Sequence, residues 1–257
     1  MAHHVCPETV ISSSQPAPLS WSLVIPVKVL ARAKSRLTGL TATVRSGLAL
    51  AMAADTIAAA TAATAVGRVL VVTDDPAVAE IAAGLGALVL ADVPAAGLNE
   101  ALEYGAAHAE ARWPERGRAG LAGDLPAARP DELTAALTAA ARLGAAFVPD
   151  ADGTGTVLYA AAPGMAFRPQ FGPGSRARHL AAGAAEIGPA EISAGELGQH
   201  VASPQVTGPG LTDAGGLTGL AGLRRDVDTV QDLRRAAELG LGQRTTALLA
   251  ADERILS

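Results

Sequence analysis

The chain has 257 residues, 49% of them hydrophobic and only 3% aromatic, with a net charge of −5 and one cysteine. That is enough apolar content for one substantial core of Ala, Val, Leu and Ile, most simply a single α/β domain. The acidic balance argues against a nucleic-acid partner or an anionic-membrane surface, and the lone Cys6 excludes an internal disulfide, pointing to a reducing cytoplasm.

Residues 1–20 carry paired histidines, three consecutive serines and three prolines, without the basic and apolar regions of a secretion signal. They read as a disordered leader, in which His3 and His4 are incidental, and 21–257 as one domain. No apolar run is long enough to span a membrane without helix-periodic polar interruptions.

Trp21 to Val27 is continuously apolar and reads as the first strand, followed by a helix from Thr41 to Ala65 rich in alanine and leucine. Arg68 to Thr73 is a second strand, Pro76 to Leu85 a helix, and Ala87 to Ala91 a third strand. Gly97 to Arg112 reads as helix and Gly117 to Ala122 as a short buried strand ending on Gly123, Asp124, Leu125 and Pro126. Asp131 is placed to cap a helix running to Leu143, which feeds a strand from Ala145 to Val148. The alternation signals parallel βαβ units and a Rossmann-like first half of about 150 residues.

Beyond Pro149 come D-A-D-G-T-G-T, a strand V-L-Y-A-A-A, and the loop F-R-P-Q-F-G-P-G-S-R-A-R-H from Phe167 to His179. Gly, Pro, Ser and Arg at that density just before a helix mark an ordered binding loop. Gly188 to Gly222 is rich in Gly, Ala, Pro and Thr with little hydrophobic period, a flexible excursion or a weakly packed hairpin. The chain closes with R-R-D-V-D-T-V-Q-D from Arg224 to Asp232 and helices over Thr229 to Leu239 and Thr245 to Ile255.

Chemistry concentrates in three clusters where an open α/β sheet binds its ligands. The chain's two lysines, Lys28 and Lys34, fall in one segment after the first strand, beside Arg32 and Arg36, although arginine serves everywhere else. Compact ammonium groups suit a polyphosphate whose charge moves during reaction. The segment lacks both Walker-A spacing and G-x-G-x-x-G, so Lys28, Lys34 and Arg36 read as a triphosphate clamp of another kind.

The second cluster is acidic. Asp124, where a buried strand meets a Leu-Pro turn, either closes an Asx-turn or holds Mg²⁺ through hard oxygen donors. Asp226 and Asp228, one residue apart, point the same way in an extended segment. Asp228 with Gln231 also fits a helix cap and its capping-box partner, but that leaves Asp226 over, whereas a metal site shared with Asp124 uses both. The third cluster joins D-G-T-G-T to F-G-P-G-S-R, where glycines let backbone N–H groups approach an anion and Thr156 and Ser175 add hydroxyls. A calcium loop starting at Asp150 fails because its twelfth position is Ala161 rather than Glu.

P-V-K-V-L-A-R-A-K-S-R-L, G-L-N-E-A-L (Gly97 to Leu102), G-D-L-P, F-V-P-D-A-D-G-T-G-T, F-G-P-G-S-R-A-R-H and D-V-D-T (Asp226 to Thr229) occur collinearly between Trp21 and Leu239. Together they resemble the 2-phospholactate or phosphoenolpyruvate guanylyltransferases of coenzyme F-420 biosynthesis. The resemblance implies a nucleotide-diphosphosugar-transferase-like fold with a mostly parallel mixed sheet flanked by helices. It implies GTP as donor, phosphoenolpyruvate or 2-phospholactate as acceptor, and Mg²⁺ as cofactor. Position by position, Asp124, Asp226 and Asp228 would bind metal, and Thr156, Gly172 and Ser175 would hold the acceptor's carboxylate. The family usually passes quickly from the S-R-A-R-H helix to D-V-D-T, whereas here Gly188 to Gly222 intervenes.

On this reading the acceptor phosphate attacks the α-phosphorus of GTP and needs no general base, being already ionised. Asn99 either bonds the guanine or ribose or caps its helix, and His179 is a packed helical residue rather than a catalyst. Two rivals are a GT-A glycosyltransferase, whose Asp-x-Asp normally follows the middle strand, where this chain has G-D-L-P, and a non-catalytic nucleotide sensor, which would not need a second anion loop.

Overall fold

The computed structural model describes residues 19–30, 37, 39–93, 95–197, 219–252 and 255–256. The chain order is β1 (Trp21–Pro26), α1 (Ala42–Ala62), β2 (Val66–Val72), α2 (Pro76–Gly84), β3 (Leu88–Leu90), α3 (Leu98–Arg112), β4 (Gly117–Leu121), α4 (Pro130–Leu143) and β5 (Ala145–Pro149). It continues with β6 (Thr156–Ala161), α5 (Ser175–Ala181), β7 (Ala185–Glu186), α6 (Pro189–Leu197), α7 (Val230–Leu239) and α8 (Gln243–Ala251). The strands form one seven-stranded sheet in the order β3-β2-β1-β4-β6-β5-β7. β1 to β4 are mutually parallel, β6 runs antiparallel to both β4 and β5, and β7 pairs parallel with β5. The sheet is mixed because β5 and β6 are joined by a short loop, which can only return the chain antiparallel.

Every residue of β1 is buried, as a central strand covered on both faces requires. Its side chains alternate between layers with the period of two that a pleat imposes. Leu23 and Ile25 pack with Val69 and Val71 against Ile57 of α1, Val78 of α2 and Leu133 and Leu137 of α4. Val24 faces the opposite way with Leu70 and Val72, against Ala101, Leu102, Ala106 and Ala109 of α3. A third cluster, with Leu48 and Met52 of α1, Val227, and Leu233 and Ala236 of α7, attaches the C-terminal helices. Each fully buried Leu, Ile or Val contributes roughly 1.5–3 kcal/mol.

The predicted elements recur with ends shifted by a few residues, as helix fraying and strand-edge criteria lead one to expect. Three differences stand out. Arg129 and not Asp131 is the N-cap of α4: Glu132 reaches back to accept the Arg129 backbone N–H at 3.0 Å, while Asp131, inside the first turn, accepts the Glu132 N–H at 3.0 Å. The C-terminal helices occupy 230–239 and 243–251. The stretch Gly188 to Gly222, expected as a flexible excursion or a weakly packed hairpin, holds helix α6, and its far end enters the core through Leu220. Residues 198–218, and 1–18 of the predicted leader, lie outside the described residues. Among the described residues no helix is long and apolar enough to cross a membrane.

Candidate active site

β1 and β4 lie side by side at the centre of the sheet, so the loops leaving their C-terminal ends share the same edge. The loop after β4 carries Asp124, and it is held from below by α1. The Leu125 N–H donates to Thr56 Oγ1 at 3.0 Å, and that hydroxyl donates onward to the Met52 carbonyl at 2.9 Å. The neighbouring Asp55, buried in the same helix, accepts the N–H groups of Arg244 and Thr245 at 3.0 and 2.8 Å and so caps α8 across the chain. Gly242, at the start of α8, donates to the Pro126 carbonyl at 2.7 Å. The Asp124 turn is thus clamped between two helices.

D-V-D-T reaches this turn by a backbone bond, Val227 N–H to the Asp124 carbonyl at 3.2 Å. Val227 is buried between the two acids, which leaves Asp226 and Asp228 on the other face of an extended segment. The helix after them is capped by Thr229, whose Oγ1 accepts the Asp232 N–H at 3.2 Å while Asp232 accepts the Thr229 N–H at 2.9 Å. Asp228 and Gln231, the alternative capping pair, do not serve that purpose. Gly222 fixes how this segment enters: a Cβ there would stand 2.1 Å from the Ala127 carbonyl oxygen, so no side chain fits. Its N–H donates to buried Glu132 at 2.9 Å, and burial raises the Glu132 carboxyl above the ordinary carboxylate value.

Asp124, Asp226 and Asp228 line one cleft of about 880 Å³ together with Asp150, Asp152, Thr156, Gly172 and Arg225. Burial pushes the Asp226 carboxyl up to about 7, with further upward pressure from the charges of Asp124, Asp150 and Asp228. Such crowding favours a cation. The carboxylates supply the hard oxygen donors Mg²⁺ takes, yet among the described residues no three His, Cys, Asp or Glu side chains form a ready-made cage. Mg²⁺ commonly binds through one or two carboxylates and completes its shell with water and substrate phosphates, so the donor set fits that ion.

Another part of the lining is built from hydroxyls and loops. Thr156 opens β6, is 8% exposed and lines the cleft, while Ser175 behind it is fully buried and donates its hydroxyl to Thr156 Oγ1 at 3.1 Å. Gly172 has φ of +110°, a conformation that favours glycine, and brings its backbone to the cleft edge. The D-G-T-G-T loop is closed by Asp150, which accepts the N–H groups of Thr154 and Gly155 at 2.9 and 2.7 Å. Those two amides, expected to face an anion, are therefore committed within the loop.

Comparison with known proteins supplies the decisive observation. Residues 21–187 match the family model described as CofC-like guanylyl transferase. The chain belongs to that family. It is 49% identical to a phosphoenolpyruvate guanylyltransferase of Thermomonospora curvata over 240 residues, 93% of each chain. A protein of the same name from Streptomyces scabiei is 48% identical, over 90% of this chain and 97% of its own. A solved structure from Desulfovibrio desulfuricans, described as a nucleotide-diphospho-sugar transferase, superposes with a TM-score of 0.59 at 15% identity, covering 93% of this chain and 97% of its own. That likeness establishes the fold, as the sequence resemblance implied.

Within this guanylyl transferase the sequence-predicted residues divide by location. Asp124, Asp226, Asp228, Thr156 and Gly172 share the cleft. Ser175 stands one shell behind it, its backbone N–H donating to the Gly172 carbonyl at 3.0 Å. Asn99 neither caps α3 nor lines the cleft. Its Oδ1 accepts the Phe171 N–H at 2.8 Å and its Nδ2 donates to the Phe171 carbonyl at 3.3 Å, so it fixes the loop before Gly172. Lys28 is exposed at the end of β1, and Lys34 and Arg36 lie outside the described residues. Sequence reasoning missed Arg225, the one cation among the described cleft residues, whose buried Nε has no hydrogen-bond partner. It also passed over Asp150 as a loop organiser. A signal for that was available, since an Asp just before a Gly- and Thr-rich run commonly bonds backbone N–H groups ahead of it.

Proposed function

We propose that this chain transfers GMP from GTP to the phosphate of phosphoenolpyruvate, or of the related 2-phospholactate, releasing pyrophosphate in the biosynthesis of coenzyme F-420. The observation that carries the reading is the convergence of Asp124, Asp226 and Asp228 on one cleft with Thr156 and Gly172, in a chain of this family. In the step itself an acceptor phosphate oxygen forms a bond to the α-phosphorus of GTP. The bond from that phosphorus to the β-phosphate bridging oxygen breaks, and its electron pair leaves with pyrophosphate. No proton need be removed, because the acceptor is already anionic.

The work left for the protein is to bring two mutually repelling anions into line and to answer the charge that develops. Asp124, Asp226 and Asp228 would hold Mg²⁺, which would supply positive charge shared between phosphate oxygens. Lys28, with Lys34 and Arg36 from the same segment, would bind the triphosphate and the departing pyrophosphate. Thr156 and the Gly172 backbone, with Ser175 behind them, would take the acceptor's carboxylate. A reducing cytoplasm suits a chain whose single cysteine has no partner.

The test follows pyrophosphate release from purified protein with Mg²⁺, each nucleoside triphosphate, and phosphoenolpyruvate, 2-phospholactate or 3-phosphoglycerate in turn. Release with GTP that depends on one of the first two acceptors is the expected result. No release with any pair, or release that ignores the acceptor, would overturn it. A glycosyltransferase using a nucleotide-sugar yields no pyrophosphate under any of these conditions.

A further inference from the structure

The hydroxyl wall of the cleft rests on a buried histidine with no part in the chemistry just described. His179 of α5 is fully buried. Its ring stacks on Tyr159 at 4.8 Å and on Phe147 at 5.3 Å, and meets the edge of Phe171 at 6.2 Å, so its plane is fixed. Both nitrogens are engaged: Nε2 lies 2.9 Å from the Gln170 backbone nitrogen and Nδ1 lies 2.9 Å from Thr156 Oγ1.

These contacts determine where the protons sit. A backbone N–H can only donate, so Nε2 must accept and carries no hydrogen. The single hydrogen of a neutral imidazole is then on Nδ1, donated to Thr156 Oγ1. Burial, with a smaller contribution from the charge of Arg178, lowers His179 to about 4 and keeps the ring neutral near pH 7. Thr156 Oγ1 also accepts the Ser175 hydroxyl, so both of its lone pairs are filled from behind. Its own hydrogen remains, on a residue whose exposed fraction faces the cleft.

We propose that His179 is a positioning residue which, acting with Ser175, makes the Thr156 hydroxyl a donor only, aimed at an oxyanion of the acceptor. A free threonine hydroxyl both donates and accepts and turns about its C–O bond. One whose lone pairs are filled can only donate, and its hydrogen has one remaining direction. The site would therefore select an ionised carboxylate over an alcohol or an amide N–H at that position, and would do so before the acceptor arrives. This rests on the reading that Thr156 meets the acceptor.

Two measurements test it. In protein labelled with ¹⁵N-histidine, His179 should show the Nδ1-protonated, Nε2-bare tautomer and should not titrate between about pH 5 and 8. An Nε2-protonated ring would overturn the proposal without any variant having to fold. In the steady state, Thr156→Val and His179→Phe should each raise the KM for the acceptor about tenfold, with kcat and the KM for GTP changed far less. The double variant should be no worse than either single one, and Thr156→Ser should restore most of the loss. His179→Phe keeps the ring stack but strands the Gln170 N–H, so a lower melting temperature is expected and is not the readout. An unchanged acceptor KM in folded His179→Phe, or additive losses in the double variant, would sink the role of His179 alone. An unchanged acceptor KM in Thr156→Val would instead remove the acceptor from this wall, and the proposal with it.

Discussion

The two walls of the cleft differ in the charge they carry. On the hydroxyl side, His179 and Ser175 both bond Thr156 Oγ1, and Asn99 and Asp150 fix the two loops through bonds to backbone of 2.7–3.3 Å. On the acidic side Asp124, Asp226 and Asp228 gather, and burial, with added pressure from the neighbouring carboxylates, holds Asp226 up to about 7. A preorganised neutral wall recognises at little reorganisation cost, whereas a wall of like charges is completed by what binds it. The proposed reaction would use both: one substrate group held still and a cationic centre assembled around mobile phosphates.

The sharpest way to break this contrast is at Asp124. If the acidic wall works only when loaded, Asp124→Asn should cut pyrophosphate release by about 1,000-fold, in keeping with losing a major electrostatic element. Its melting temperature in the absence of Mg²⁺ should stay within a few degrees, because backbone bonds of Leu125 and Asp124 anchor the turn. Near-normal turnover in the variant would remove Asp124 from the metal site.

The next effect separates support of the acidic wall from its chemistry. Glu132 bonds Arg129 N–H at the start of α4 and Gly222 N–H ahead of D-V-D-T, and it is 2% exposed. Glu132→Ala strands the buried Gly222 N–H and frees the part-buried Arg129 N–H, and should cost about 2 kcal/mol in denaturant unfolding. Asp131→Ala, one residue away, should cost no more than about 0.5 kcal/mol. Equal losses would mean that the cap is shared.

That pair also marks how far the sequence can be read. Strands such as β1 and β2 and the helices between them were legible because burial on a fixed period leaves a local trace in residue type. The acidic and hydroxyl residues were legible because they cluster in turns beside glycine and proline. What holds those residues in place was not. Glu132 reaches Gly222 across 90 positions, Asp55 reaches Thr245 across 190, and Asn99 reaches Phe171 across 72. Side-chain bonds to a distant backbone have no period, so a Glu in a first turn looks like any other and an Asn near a helix start looks like a cap or a ligand. His179 shows the same limit: packing was readable from its place in a helix, whereas its bond to Thr156, 23 positions earlier, was not.

The smallest predicted effect concerns pH, where the two walls should respond with opposite sign. His179 is lowered from 6.5 to about 4 in the folded chain, so between those values the unfolded chain binds more protons. Its contribution to stability is complete above pH 6.5 and is lost as pH falls toward 4. Asp226 is raised from 3.8 to about 7, so there the folded chain binds more protons, and its contribution is complete below pH 3.8 and is lost as pH rises through 7. In EDTA and without nucleotide, His179→Phe should flatten the acid limb of the melting-temperature profile after allowance for its constant offset. Asp226→Asn should flatten the limb toward about pH 8, raising the melting temperature there by a few degrees while abolishing turnover. Gain of stability with loss of activity is what a wall made of mutually repelling charges entails. If Asp226→Asn melts lower than the parent at about pH 8, the carboxylates are already neutralised by the protein itself and the two walls do not differ in kind.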